Sequence, residues 1–277
     1  MRVAVAQMEP KLAETQRNLD VCFARLEEAA AQGAQLTVFP ECAIPGYMFD
    51  SAEEALPFAD EIPGPSTEAF EHECRRLGVH AITGLIEREG DTLYNSAILV
   101  GPEGLIGSYR KTHLPFLGVD RFVTPGDELK VFDTALGRIG LIICYDLRFP
   151  EVTRTLALQG ADLVALPTNF PMAAKVQTEV ITLGRAAENR IYLLCANRVG
   201  KERTGEFCGW SQIVDPYGKR LAEAGETEEA LLVADVDVEK ARDKDYVVPG
   251  EYELYLFGHR RPELYGALVE EQSRVEA

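Results

Sequence analysis

The 277-residue sequence has no C-x-x-C pair among its six cysteines, no cluster of lysines and arginines, and no long apolar run. Each absence excludes a class of protein. Cys22, Cys42, Cys74, Cys144, Cys195 and Cys208 are scattered, which argues against a disulfide framework and a thiolate metal cage, so reduced thiols and no metal are expected. Only 28 lysines and arginines face 45 acids, for a formal charge of −17. A surface of that sign repels phosphate backbones and anionic lipid, so neither nucleic acid nor a membrane surface is an expected partner. The longest apolar stretches are about half of the roughly 20 residues a membrane-spanning helix needs, and the opening MRVAVAQMEP reaches charge too soon for a signal peptide. A cytoplasmic location is therefore expected. With no repeat, low-complexity tract or Ser/Gly linker, the chain is read as one domain, 1–277.

What is present suits a compact α/β protein: 46% of residues are hydrophobic, enough for a sizeable core. RVAVAQM and QLTVFPE are short apolar runs, and between them Leu19, Cys22, Phe23, Leu26, Ala29 and Ala30 recur at helical spacing, with Asn18 as the expected N-cap and Gly33 as the stop. A second helix is expected from near Ser66 to Gly78, with Phe70, Cys74 and Leu77 on one face, before the strand HAITGLIER. LYNSAILV and LIGSYRKTHL flank the turn-rich GPEG as a hairpin, and VFDTALGRIGLIICYD repeats the device with a strand ending at Cys144. Phe149, Val152 and Leu156 then open a helix closed by Gly160, ADLVALP is a buried strand, and a further helix is expected to place Val176, Val180, Leu183 and Ala187 on one face. IYLLCANR, GWSQIVDPYGKRLAEA and ALLVADVDV are closing strands. Sheets with helices packed outside are the natural layering, and 246–277 is a tail over the body or a partner subunit.

Three strand exits end in a residue able to react: Glu41 after VFP, Lys111 after GSYR, and Cys144 after GLII. Open α/β sheets gather their sites at the carboxyl ends of strands. Individually each has an ordinary reading: a buried small hydrophobe for Cys144, solvated surface charges for Glu41 and Lys111. Together they supply what a nucleophilic thiol needs. A thiol of ordinary pKa, about 8.5, is mostly protonated at neutral pH; a carboxylate can take its proton, and an ammonium can stabilise the thiolate and the oxyanion formed on attack.

The blocks VFPE, YRKTHLP and GLIICYDLRFPE, in this order, resemble the carbon–nitrogen hydrolases of the nitrilase superfamily. VAVAQM, PGY, RAAENRIYLLCANRVG, SQIVDPYGK and RRPELY extend the resemblance over nearly the whole chain. It implies a four-layer α-β-β-α sandwich that pairs through its helices into a homodimer or larger homo-oligomer, and no cofactor. By the same resemblance Cys144 is the nucleophile, Glu41 the general base and acid, and Lys111 the stabiliser of the tetrahedral intermediate. The backbone N–H of Tyr145 is a second oxyanion donor, as for other residues that follow a nucleophile on a strand-to-helix turn. The implied substrate is a small amide, cleaved through a thioester to an acid and ammonia or an amine. Alternatives are an N-carbamoyl amino acid or amine hydrolase, a true nitrilase, and a catalytically silent scaffold.

One departure stands out. Many relatives carry a further glutamate shortly before a Pro-Gly after the lysine, whereas the only acid between Lys111 and Pro125 is Asp120, one residue off that place. Asp120 either substitutes for the glutamate or pairs with Arg121 on a solvated loop. Arg148 resembles the residue that holds a substrate carboxylate in N-carbamoyl amino acid hydrolases; its plain alternative is a pair with Glu151 or Asp146. Tyr47, Asn169 and Phe170 resemble pocket-wall residues. His113, two past Lys111, is expected behind the triad rather than in it. His72 sits beside Glu71, Glu73 and Cys74, but adjacent helical residues diverge around the axis and cannot converge on one ion. His80 and His259 have no partner spacing.

Overall fold

The computed structural model describes residues 1–271. One compact unit, Met1–Arg242, begins with β1 (Arg2–Gln7), α1 (Thr15–Ala31), β2 (Leu36–Val38), the single turn α2 (Ala52–Ala55), α3 (Pro65–Leu77), β3 (His80–Glu89), β4 (Thr92–Gly101) and β5 (Gly104–Arg110). It continues through β6 (Val131–Thr134), β7 (Gly137–Leu141), α4 (Pro150–Leu158), β8 (Leu163–Thr168), α5 (Thr182–Asn189), β9 (Tyr192–Asn197) and the two-residue ladder β10 (Lys201–Glu202) with β11 (Gly205–Glu206). It closes with β12 (Gln212–Val214), β13 (Arg220–Glu223), β14 (Ala230–Asp235) and α6 (Val238–Arg242).

Two six-stranded sheets result, in the orders β14-β1-β2-β3-β4-β5 and β13-β12-β9-β8-β7-β6. They share one logic. β1, β2 and β3 are parallel because α1 and then α3 cross over between them, and β7, β8 and β9 are parallel because α4 and α5 do the same. Hairpins add the antiparallel strands on either side. The sheets pack face to face through β1 against β9 and β3 against β8, while α1 and α3 cover one outer face and α4 and α5 the other. This is the four-layer α-β-β-α sandwich that the sequence implies. Alternation along β1 sends Ala4, Ala6 and Met8 to the helix side, where Leu19, Cys22, Leu26, Phe70 and Cys74 meet them.

The layering fixes where strand exits gather. β5 is antiparallel to β4, which is antiparallel to β3, so β5 leaves its sheet on the same edge as β2 and β3. A parallel bridge between Met8, just past β1, and Arg198, just past β9, brings the corresponding edge of the second sheet alongside.

Three local expectations need correction. α1 starts at Thr15, so Asn18 is inside the helix rather than its N-cap; its carboxamide instead takes the Lys11 N–H at 2.8 Å and donates to the carbonyls of Lys11 at 2.7 Å and Ile44 at 2.8 Å. The strand before Cys144 ends at Leu141, and Cys144 opens a 3-10 turn, Cys144–Arg148. In the helix before β9, Val176 and Val180 are exposed, and the inward stripe is Gln177, Thr178, Thr182, Ala186 and Asn189. Residues Gln177–Ile181 wind as a π turn, which rotates the register away from a 3.6 period. The Thr182 hydroxyl donates back to the carbonyls of Gln177 and Thr178 across the widened turn.

A second unit, Asp243–Ala277, contains the hairpin β15 (Asp245–Val248) and β16 (Tyr252–Tyr255), a register not foreseen from the sequence, with Gly250 at φ +79° in its turn.

Gly84 on β3 is required by close approach: a Cβ there would lie 2.4 Å from the Cys42 nitrogen and 2.7 Å from the Glu41 Cα, main-chain atoms that cannot swing aside. Gly84→Ala is expected to cost about 1–3 kcal/mol by overpacking. Gly184→Ala, on the exposed side of α5 with nothing within 4 Å, is expected to be neutral or stabilising. Thermal unfolding of the two variants checks the contrast.

Candidate active site

The loop after β2 carries Glu41, and both it and the main chain of Cys42, at φ +46°, lie against β3. Lys111 is the first residue beyond β5, and its N–H donates back to Asn95 on β4 at 2.8 Å. Glu41 and Lys111 are fully buried, as is Asp120 to within 5% of its surface. The Lys111 Nζ donates to Glu41 Oε1 at 2.7 Å and to Asp120 Oδ2 at 2.5 Å. Asn95 clamps both acids from the other side, giving its Nδ2 hydrogens to Glu41 Oε1 at 2.7 Å and Asp120 Oδ1 at 2.9 Å. The Tyr47 hydroxyl adds a third donor to Asp120, 2.7 Å from Oδ2. Asp120 therefore faces the lysine and does not pair with Arg121, which reaches Asp50 and the carbonyls of Gly118 and Phe49.

An ammonium has three hydrogens and a carboxylate two oxygens, so this inventory leaves groups over. Two ammonium hydrogens of Lys111 are used and one is not. Glu41 Oε2 is buried and has no hydrogen-bond partner. Burial pulls the Lys111 pKa down, but Asp120 and Glu41 reverse that and hold it well above the ordinary lysine value. Glu41 is raised, by burial first, with Lys111 opposing and Asp120 adding to the rise.

Cys144 comes from the opposite sheet. Its φ of +47° is a left-handed conformation rare for a side-chain-bearing residue, held by the turn that follows. The Asp146 carboxylate fastens that turn: it receives the Ile143 N–H at 2.9 Å, the Tyr109 hydroxyl at 2.8 Å, and the Thr112 hydroxyl and His113 N–H at 2.9 Å each. The turn bearing the sulfur and the strand exit bearing the lysine are thus tied by one side chain. His113 belongs to this tie, with Nδ1 2.8 Å from Asp146 Oδ1 and its ring stacked on Phe149 at 3.8 Å. The thiol feels Glu41 and Lys111 directly. Burial and Glu41 raise its pKa, and Lys111, the Thr168 hydroxyl and the Asn169 main chain oppose the rise. Asn169, just past β8, also donates its Nδ2 to the Glu41 carbonyl at 3.0 Å.

A cavity of about 270 Å³ opens beside the sulfur. Tyr47, Pro115, Leu117, Phe170, Pro171, Ala173, Ala174 and Val176 make it largely apolar, and Tyr145, Arg148 and Gln177 are its polar or charged members beside Cys144. Arg148 is exposed, and its guanidinium has no ion-pair partner among the described residues; neither Glu151 nor Asp146 holds it. Glu202 steadies the wall by taking the N–H groups of Tyr47 at 2.8 Å and Met48 at 2.7 Å while paired to the buried Arg198 at 3.0 Å.

All nine residues picked from the sequence lie at or beside this site. Asn95, Asp146, Thr168, Gln177 and Glu202 were missed. A polar residue inside the apolar run LYNSAILV was the available signal for Asn95, whereas Gln177 was hidden by the π turn. Among the described residues no group of three or more His, Cys, Asp or Glu side chains is arranged to hold a metal, and no helix is long and apolar enough to cross a membrane.

Residues 2–246 match the profile of the carbon-nitrogen hydrolase family. A protein described as a nitrilase from Pyrococcus abyssi is 43% identical over 246 residues, covering 88% of this chain and 92% of its own. The human omega-amidase NIT2 is 32% identical over 276 residues, 95% of this chain and 96% of its own. Among solved structures, the amidase from Nesterenkonia sp. AN1 superposes with a TM-score of 0.81 at 28% identity, covering 97% of this chain and all of the other; in one of its variants acrylamide is added to the active-site cysteine. Profile, relatives, layered fold and the gathering of acid, amine and thiol at one edge agree, and the chain belongs to the carbon–nitrogen hydrolase family as an enzyme of the nitrilase-superfamily amidase type.

Proposed function

We propose that the protein hydrolyses small amides through an acyl thioester on Cys144, with Glu41 as the proton carrier and Lys111 as the oxyanion partner. The carrying observation is the pair of unused groups in the buried cluster: the orphan Oε2 of Glu41 and the third hydrogen of the Lys111 ammonium. As the Cys144 sulfur bonds to the amide carbon, its proton passes to Glu41, and the carbonyl oxygen becomes an oxyanion facing Lys111 and the Tyr145 N–H. Glu41 returns the proton to the amide nitrogen, the C–N bond breaks, and ammonia or an amine leaves. Water then attacks the thioester, giving Glu41 its proton; the C–S bond breaks, the acid departs and the thiol is restored. Asp120 does the work of the missing glutamate by holding Lys111 from the side opposite Glu41.

Tyr47, Asn169 and Phe170 shape the pocket, and Arg148 holds a carboxylate on the substrate's far end. Its unpaired guanidinium at a largely apolar cavity favours carboxylated amides, N-carbamoyl amino acids included, over plain nitriles.

We infer further that residues 1–277 act as one hydrolase domain in a homodimer or larger homo-oligomer, with the C-terminal segment packed on the body or a partner. An isolated two-stranded hairpin is marginal in water, and Tyr246, Val247, Tyr252 and Leu254 of β15 and β16 are exposed and call for cover, as do Val176 and Val180. A reducing cytoplasm suits six free, buried cysteines.

Incubation with a small amide should add the acyl mass to Cys144 and release ammonia, and Cys144→Ala should do neither; an acyl adduct on Cys42, Cys195 or Cys208 would overturn the assignment. Arg148→Met should lower kcat/KM by about 10- to 100-fold for carboxylated amides and far less for neutral ones, the usual cost of losing a charged hydrogen bond. Because Glu41 must be ionised to accept the thiol proton and its pKa is raised, kcat/KM should climb with pH and level off above the ordinary glutamate value of about 4.3. A plateau already reached at that value would count against Glu41 as the base. Sedimentation of the full chain should give a dimer or larger species that Val180→Glu weakens.

A further inference from the structure

Gln177 stands in the π turn that packs against the turn carrying Cys144 and Arg148, and it lines the same cavity. It is 96% buried, by its 4% exposure, yet its Oε1 has no hydrogen-bond partner and its side chain makes no hydrogen bond to any described residue. A buried amide left unpaired costs about 1–3 kcal/mol, so such a group is retained where something else completes it. Its neighbours explain the isolation. Thr182 and Thr178 spend their groups on the main chain of the turn, and the facing walls Phe170, Ala173 and Val176 offer no polar side chain. The widened turn begins at Gln177, which faces inward, and Val180 within it stays exposed.

From this geometry we infer that Gln177 is a specificity-determining residue that reads a hydrogen-bond donor beside the substrate's carboxylate. The preferred substrate is thus an amide whose far end carries a carboxylate together with a hydroxyl, ammonium or N–H group. The carboxylate meets Arg148, and the neighbouring donor meets the carboxamide oxygen of Gln177. An amide side chain presents one acceptor and two donors, so it can take the donor and still support the carboxylate. An analogue without the donor would enter the apolar cavity but leave the buried oxygen unpaired, and sites built this way discriminate against such analogues.

This inference rests on the amidase reading, so the test includes a substrate that needs neither Arg148 nor Gln177. Ammonia release is measured for four-carbon monoamides of dicarboxylic acids that are unsubstituted, 2-hydroxy or 2-amino, and for butyramide as the neutral reference. In the wild type, kcat/KM should favour at least one donor-bearing amide over the unsubstituted one by about 10- to 100-fold. In Gln177→Met, which keeps length and removes the amide, that ratio should fall to near one; a merely structural role would lower all rates together and leave the ratio standing. Gln177→Glu, which restores an acceptor, should recover a preference for the 2-amino compound. Equal kcat/KM for donor-bearing and unsubstituted amides in the wild type, or an unchanged ratio in Gln177→Met, overturns the assignment. No ammonia from any compound, butyramide included, would instead sink the amidase reading beneath it.

Discussion

A lysine ammonium with no exposure to solvent is the constraint around which this molecule is arranged. Removing one partner from a buried ionic cluster typically costs about 3–5 kcal/mol, because the charge left behind has no water to turn to. Lys111 meets this demand with two carboxylates, and the carboxylates in turn meet theirs with Asn95 and Tyr47. Within the cluster, Glu41 Oε2 and one Lys111 hydrogen are left without a partner. Polar networks of this kind define one arrangement sharply, since any other leaves a charge stranded. The chemistry of the site is therefore the unsatisfied remainder of a structural necessity.

The fold makes the cluster affordable. Several of the site's groups stand on or just beyond different strands: Glu41 beyond β2, Asn95 on β4, Lys111 beyond β5, and Cys144 and Asn169 beyond β7 and β8 of the second sheet, while Tyr47 and Asp120 come from the connecting segments. Parallel crossovers put the carboxyl ends of β2, β7 and β8 on common edges, and two sheets packed face to face bring those edges together. Gly84 lets the Glu41 loop lie directly on the neighbouring strand, and Asp146 keeps the cysteine turn and the lysine exit at one separation. The loops and turns that carry the reacting groups are short and anchored to strands, which is what precise placement of reacting groups requires.

Much of this was legible in the amino-acid order. Apolar runs separated by helical periods gave the strands and crossovers, because both faces of each central strand are buried and burial leaves a plain pattern. Glu41, Lys111 and Cys144 were recognisable because each directly follows such a run. The failures have physical causes. Asn18 looks like a cap because capping and cross-linking use the same carboxamide, and only the folded chain shows that Lys11 and Ile44 claim it. Asp120 was ambiguous because a one-residue offset in a loop says nothing of where the side chain ends. Val180 was assigned to the wrong side, and Gln177 was passed over, because one extra residue in a helical turn shifts the register from a 3.6 period. The hairpin after Asp243 carries too few alternating residues to announce itself.

The strained turn at Cys144 has a consequence for the resting protein. Burial and an adjacent carboxylate push the thiol pKa up, which favours the protonated sulfur in the resting site. The sulfur is also sheltered from bulk water. Only a molecule whose carbonyl can collect the spare ammonium hydrogen while its carbon meets the sulfur makes proton departure favourable. The burial that makes the lysine so demanding thus also couples loss of the thiol proton to the arrival of a carbonyl.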